Sequence, residues 1–142
     1  MGKYRVNPRV RRFFWLPRDA GRTQPTPYGR LVGIWLAVLA VGAGVTATGW
    51  DEESGGSHLM ALVVVVNAVD DIAEEVRHRW PAALASVVVL FGASRLTGAV
   101  LPGSLDAAWA QTLAAAVGVT LGLAVAAAIS RLPYPKRLTE AR

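Results

Sequence analysis

Two stretches of this chain carry no charged residue over the length that a lipid bilayer requires. They are residues 31–50 and 107–130, which are 20 and 24 residues long. As helices they would measure about 30 and 36 Å, against about 30 Å for the hydrocarbon core of a bilayer. A soluble domain of 142 residues has too small an interior to bury both helices. The sequence therefore predicts an all-α, polytopic membrane protein.

Composition excludes two other classes of protein. Hydrophobic residues make up 53% of the chain, whereas a disordered chain needs a low hydrophobic content. The chain has no cysteine, so it has neither a disulfide framework nor a thiolate metal site. It also lacks a glycine-rich phosphate loop, and no Ser/His/Asp arrangement can be assembled from its two histidines. We expect no cofactor and no catalytic residue.

The basic residues flank the apolar region. Eight of the fifteen Lys and Arg residues lie in residues 1–30, and four more lie in residues 131–142. Basic flanks are typical of the cytoplasmic side of a membrane protein. We therefore predict a basic cytoplasmic arm (1–30), a transmembrane helical domain (31–130) and a basic cytoplasmic tail (131–142) in the inner or plasma membrane. Because topology accounts for these charges, we expect no nucleic-acid partner.

The number of crossings depends on the middle of the chain. Residues 54–69 are charge-free but would form a helix of only about 24 Å, and residues 81–101 are apolar except for Arg95. Two cytoplasmic termini require an even number of crossings. We predict four transmembrane helices, with residues 51–56 outside, residues 74–80 inside and Arg95 snorkelling to the outer interface. The alternative is two crossings plus an amphipathic middle segment.

The N-terminal arm contains a short segment suited to the lipid headgroup boundary. Residues 9–16 contain three arginines followed by three aromatic residues and a leucine, and the predicted lipid-interface residues are Arg11, Arg12, Phe13, Phe14 and Trp15. Basic heads with aromatic bodies favour contact with membrane lipids. The alternative is a solvated arm that only directs topology, because eight residues offer little apolar area.

An acidic cluster follows the second apolar run, at residues 70–75. Asn67, Asp71 and Glu75 are spaced four apart, which places them on one face of a continuous helix and makes them the candidate Mg²⁺ ligands. The segment resembles the first motif of intramembrane prenyltransferases, and this resemblance implies a Mg²⁺-dependent enzyme acting on prenyl diphosphates. Glu75 and Arg79 also form an ordinary i,i+4 pair of a solvated helix face. We favour the solvated face, and so predict no metal and no enzyme.

The last apolar segment carries small residues at every fourth position. They are Ala110, Ala114, Gly118, Gly122, Ala126 and Ser130. Such a stripe lets two helix backbones approach closely, which drives helix association in lipid. We predict that these six residues form a packing face. The face fits a second copy of the chain, another membrane protein or the chain's own helices.

The C-terminal part of the chain resembles the small holins of phages. From Trp80 onward it forms a predicted hairpin of two helices, joined by residues 102–106 and closed by a short basic tail. The resemblance implies a non-enzymatic protein that oligomerises and opens membrane lesions. We favour an accessory or scaffold membrane protein that acts through helix packing. A holin and a fragment of a Mg²⁺-dependent prenyl-diphosphate enzyme are the alternatives.

Overall fold

The computed structural model describes residues 24–50 and 56–133, and this part of the chain folds into four α-helices. They are α1 (Tyr28–Thr48), α2 (Ser57–Ala73), α3 (Arg79–Val100) and α4 (Ala107–Ser130). The all-α prediction is confirmed for these residues. The predicted lipid-interface residues Arg11, Arg12, Phe13, Phe14 and Trp15 lie outside the described residues, as does most of the predicted tail.

Three of the four helices are long and apolar enough to cross a membrane. They are α1, α3 and α4, with 21, 22 and 24 residues. α2 has 17 residues and ends in the charged pair Asp70 and Asp71. Its length of about 25 Å is short of the hydrocarbon thickness of about 30 Å. The structure thus supports a membrane-embedded protein and three of the four predicted spans.

The first and last helices run antiparallel. Near the start of α1, the Trp35 indole donates a 2.9 Å hydrogen bond to the Thr120 hydroxyl of α4. Near the end of α1, the hydroxyl oxygens of Thr46 and Thr112 are 2.6 Å apart in a buried hydrogen bond. As the residue number rises along α1 it falls along α4. Bonds between hydroxyls across helices satisfy polar groups that would otherwise face hydrocarbon.

The chain enters and leaves the bundle at the same end. A guanidinium nitrogen of Arg131, just after α4, donates a 2.6 Å hydrogen bond to the carbonyl oxygen of Thr26, just before α1. The same guanidinium lies 3.9 Å from the centre of the Tyr28 ring, a cation–π distance. We call this the proximal end of the bundle and the opposite one the distal end.

One core joins all four helices. Its buried residues are Val38 of α1, Met60 and Val64 of α2, Leu90 of α3, and Ala115, Val119 and Leu123 of α4. Val119 is completely buried. Each helix therefore contributes to a single packed interior, although the outward faces remain apolar, as expected of helices surrounded by lipid.

The small-residue stripe of α4 lies against α3. A Cβ atom added at Gly118 would lie 2.5 Å from the carbonyl oxygen of Leu90, and one added at Gly122 would lie 3.0 Å from that of Ser86. Of the other stripe residues, Ala114 and Ser130 are buried, and Ala110 and Ala126 are half-buried. The glycines allow the α3 and α4 backbones to approach closely within one chain.

α2 ends one turn earlier than the four-residue spacing of its polar residues indicates. The amide of Val76 donates to the Asp71 carbonyl at 3.1 Å, and the amide of Glu75 donates to the Ile72 carbonyl at 3.4 Å. Glu75 has a φ of 62°, in the left-handed region. These two bonds and this residue form a Schellman motif, which terminates a helix by satisfying its last carbonyls.

Candidate functional site

A cleft with polar walls opens between α2, α3 and α4 at the distal end of the bundle. Its volume is about 630 Å³. We call it the polar cleft, and the side chains that give it its chemistry are Ser57, His58, Phe91, Ser94, Arg95 and Gln111. Three helices bring these residues together, because the first turns of α2 and α4 meet the last turns of α3 at this end. The rest of the lining consists of small and apolar side chains.

Arg95 is the only charged residue within the membrane-spanning part of α3, between Arg79 and Val100. It lies 16 residues after Arg79, about 24 Å along the helix axis. Within residues 24–50 and 56–133, the structure records no hydrogen bond or ion pair of its guanidinium. A charge within an apolar span is costly unless it meets water or an anion, so such residues usually line a cavity or a binding site.

Gln111 lines the same cleft from α4, near the start of that helix. The side chain of Asp106 accepts hydrogen bonds from the amides of Ala108 and Trp109 at 3.0 and 3.3 Å, which caps the helix. An aspartate at this position satisfies amides that have no partner inside the helix. Gln111 comes one turn later and is the only amide side chain of α4.

His58 and Ser94 complete the polar lining. His58 is the second residue of α2, and Ser94 donates a 2.7 Å hydrogen bond to the carbonyl oxygen of Leu90, one turn earlier in α3. This serine bond leaves the hydroxyl oxygen able to accept. Among residues 24–50 and 56–133, the lining offers a guanidinium, an amide and an imidazole, and no carboxylate. Chemically it is suited to binding an anion.

The acidic candidates from the sequence do not converge. Asn67 and Asp71 line a cavity of about 10 Å³ between α2, α3 and α4, whereas Glu75 lies beyond the end of α2. The inference that these three residues share one helix face is therefore wrong for Glu75, because the helix stops at Ala73. In the described part of the chain, no group of three acidic, histidine or cysteine side chains is placed to hold a metal ion.

Asp71 lies outside the three apolar spans, in the last turn of α2 at the proximal end. Burial raises the pKa of its carboxyl group, and the negative charges of Glu74 and Asp70 raise it further. A hydrogen bond with the Thr26 side chain and the positive charge of Arg30 act in the opposite direction. Opposing influences therefore act on the pKa of Asp71, and its interactions with Thr26 and Arg30 connect the end of α2 to the start of α1.

The sequence placed Arg95 at the outer interface without assigning it to a site, and sequence reasoning missed the polar residues that line the same cleft. His58 and Gln111 are separated from Arg95 by 37 and 16 positions along the chain. A polar residue inside an apolar segment was the available signal, and Gln111 carries it, since it lies within residues 107–130. Comparisons of the chain with protein-family models, with curated proteins and with solved structures gave no match.

Proposed function

We propose that this chain is a small, non-enzymatic plasma-membrane protein that crosses the bilayer four times and has both termini in the cytoplasm. Its task is to pack against a helix of another membrane protein or of a second copy, as an accessory or scaffold protein. The support for this proposal comes from the arrangement of the helices and from the outward face of α1.

The arrangement of the helices favours an even number of crossings. The hydrogen bond between Arg131 and Thr26 holds the end of α4 beside the start of α1. The chain therefore enters α1 and leaves α4 on the same side of the bundle. Arg30 and Arg79 lie at this same proximal end, as the positive-inside rule requires of a cytoplasmic face. α2 falls short of the hydrocarbon thickness by about 5 Å, which costs only fractions of a kcal/mol per Å.

The observation that carries the proposal is an unoccupied small-residue face on α1. The packed side of α1 holds Val38, Gly42 and Val45. The exposed surface of α1 carries a stripe of small residues, Gly33, Ala37, Ala40 and Gly44, of which Ala37 borders the groove between α1 and α2. We call these four residues the outer face of α1. Nothing lies within 4 Å of a Cβ atom added at Gly33 or Gly44.

Small residues at this spacing are what helix association in lipid requires. In a bilayer the hydrophobic effect does not drive two helices together, so close backbone approach and dispersion contacts must do so. The outer face of α1 offers that approach over about three turns, from Gly33 to Gly44. The α4 stripe already uses the same device inside the chain, where Gly118 meets α3.

A photocrosslinking amino acid at Ala40 tests this proposal in intact membranes. We expect a defined adduct, either of twice the 15.1 kDa chain mass or with one other protein. The adduct should disappear in Gly44→Ile, which puts a branched side chain on the outer face. Gly92→Ile is the matched control, because nothing lies within 4 Å of its Cβ position on α3 either.

The outcomes separate the candidate functions. Adducts with lipid alone, or equal adducts in Gly44→Ile and Gly92→Ile, would show that the outer face of α1 has no protein partner. A ladder of large oligomers that makes vesicles leak an enclosed dye would assign the chain to the holins instead.

A further inference from the structure

We propose that the polar cleft is a binding site for one anionic phospholipid, whose phosphate is held by Arg95 at the distal end of the bundle. The site is separate from the outer face of α1, so it neither requires nor excludes a protein partner there. Three observations lead to it: an uncompensated cation, a set of donors around it, and an apolar track of the right length beneath it.

The first observation is the cation, which is the guanidinium of Arg95. Within the described residues, Arg95 has no recorded partner and no carboxylate lines the cleft. A guanidinium in an apolar setting is strongly stabilised by an anion, and its planar fork matches two phosphate oxygens at once. A lipid phosphate is the anion present at this depth of every phospholipid bilayer, and its negative charge complements the cleft.

The neighbouring side chains are suited to the same headgroup. Gln111 and His58 approach from α4 and α2 and can donate hydrogen bonds to phosphate or glycerol oxygens. The cleft volume of about 630 Å³ lies within the range of small-molecule sites, about 300–1,000 Å³. A headgroup with part of its glycerol unit fits this space, whereas the acyl chains must lie elsewhere.

The acyl track lies directly beneath Arg95 on α3. Counting back from Arg95 by four, seven and eleven residues gives Phe91, Val88 and Leu84, which share its helix face. All three are exposed, with 52%, 70% and 62% of their surface accessible. The track from Arg95 to Leu84 is about 16 Å long, which is about half of a hydrocarbon core of about 30 Å. This is the depth of one leaflet.

A diffuse attraction between basic residues and anionic lipids would not produce this arrangement. Arg30 and Arg79 lie in the first turns of their spans at the proximal end and Arg77 lies outside the spans, whereas Arg95 lies well inside one. The proposal therefore makes a claim about one position, and a matched arginine serves as its control. Arg77 is exposed in the α2–α3 connection, so its replacement removes the same charge from a different place.

Native mass spectrometry of the full chain, released from vesicles of phosphatidylglycerol and phosphatidylcholine in equal amounts, tests the site. We expect one retained phosphatidylglycerol per chain, and a loss of binding of about tenfold or more in Arg95→Gln. Arg95→Lys should bind at an intermediate level, because it keeps the charge and loses the fork. Arg77→Gln should bind within about twofold of the parent.

Three further measurements identify the source of the anion, test whether carboxylates of the chain compete for Arg95, and check the fold. Inorganic phosphate in millimolar excess should leave the bound lipid in place, and its displacement would mean a site for free phosphate. The variant with Asp51→Asn, Glu52→Gln and Glu53→Gln removes the carboxylates of the α1–α2 connection, and we expect it to retain the lipid. Helicity by circular dichroism should be the same for all variants.

The overturning results are specific. Equal retention of phosphatidylcholine and phosphatidylglycerol by the parent would show that the cleft does not select an anion. Equal losses in Arg95→Gln and Arg77→Gln would show that lipid follows net charge. Binding that appears only in the variant lacking the connection carboxylates would show that Arg95 is already paired within the chain.

Discussion

The guanidinium of Arg79 donates a 2.7 Å hydrogen bond to the carbonyl oxygen of Ile72, and this bond fixes the start of α3 to the end of α2. Arg79 is only 6% exposed, although it carries a full charge. The last carbonyls of a helix have no partner inside it, and a cation beside them also interacts favourably with the helix dipole. Arg79 supplies both contributions, and thereby helps to reverse the chain between the two helices.

Replacing this arginine should destabilise the bundle. Arg79→Met keeps the apolar stem and removes the charged donor, which leaves the Ile72 carbonyl without it. We expect a loss of about 2 kcal/mol in the free energy of unfolding, the range for a hydrogen bond to a charged group. Unfolding in mixed micelles measures it. Arg77→Met, at an exposed position, should change the value by less than about 0.5 kcal/mol.

The turn that Arg79 stabilises explains why the sequence predicted the helices better than the acidic site. Apolar runs at bilayer length predicted the last helix over residues 107–130, which is where α4 lies. Charge also indicated a connection near residues 74–80. The end of α2 has no glycine or proline to mark it, because the left-handed position is filled by Glu75. The four-residue spacing of Asn67, Asp71 and Glu75 assumed that the helix continues to Glu75. Because α2 ends at Ala73, Glu75 does not lie on that helix face.

The polar cleft was beyond sequence reasoning for a different reason. His58, Arg95 and Gln111 line the same cleft only because α2, α3 and α4 are rotated about their axes in a particular way. That rotation depends on how closely α3 and α4 pack at Gly118 and Gly122, and hence on three-dimensional contacts. In lipid the outward faces are apolar too, so the hydrophobic pattern of each helix indicates its inward side only weakly.

Adding one methyl group to α4 should measure how much that close approach contributes. In Gly118→Ala the new Cβ atom would meet the Ser94 hydroxyl and lie 2.5 Å from the Leu90 carbonyl oxygen. We expect a loss of about 1–3 kcal/mol in the free energy of unfolding, as overpacking usually gives. Gly92→Ala, with no atom within 4 Å of the new Cβ, should be neutral or slightly stabilising. Similar values for both would mean that the α3–α4 interface adapts without cost.

Asp71 should make the stability of the parent protein depend on pH, and this dependence should be absent from Asp71→Asn. Because burial raises the pKa of its carboxyl group, the folded state binds the proton more tightly than the unfolded state does. The favourable contribution is present below the ordinary value of 3.8 and is lost as the pH rises through the higher folded value. Asp71→Asn should therefore gain stability relative to the parent between about pH 3 and pH 7, by tenths of a kcal/mol for a half-buried group.

Unfolding free energies of the two proteins across that range provide the measurement. Asp70→Asn is the control for the loss of one negative charge at an exposed neighbouring position. A constant difference between Asp71→Asn and the parent at every pH would contradict the raised pKa. If the parent bound Mg²⁺ tightly and Asp71→Asn did not, the result would instead support the hypothesis of a Mg²⁺-dependent enzyme.

Topology is the last prediction, and the absence of cysteine makes it simple to test. Single cysteines at Arg77 and Ser104 report on the α2–α3 and α3–α4 connections, and both positions are exposed. The Arg77 connection lies at the proximal end with Arg79, which the positive-inside rule assigns to the cytoplasm. An impermeant maleimide should therefore label Ser104→Cys in intact cells, and should reach Arg77→Cys only after the membrane is permeabilised.

Each pattern of labelling corresponds to one arrangement of α2. Labelling of both positions in intact cells would mean that α2 and α3 do not cross and that only α1 and α4 do. Labelling of Arg77→Cys alone would mean that four crossings are present with the termini outside. Protection of Arg77→Cys with labelling of Ser104→Cys would mean four crossings with the proximal end, where Thr26 and Arg131 are bonded, in the cytoplasm. In that arrangement Arg95 lies in the outer leaflet, where the lipid of the polar cleft would be found.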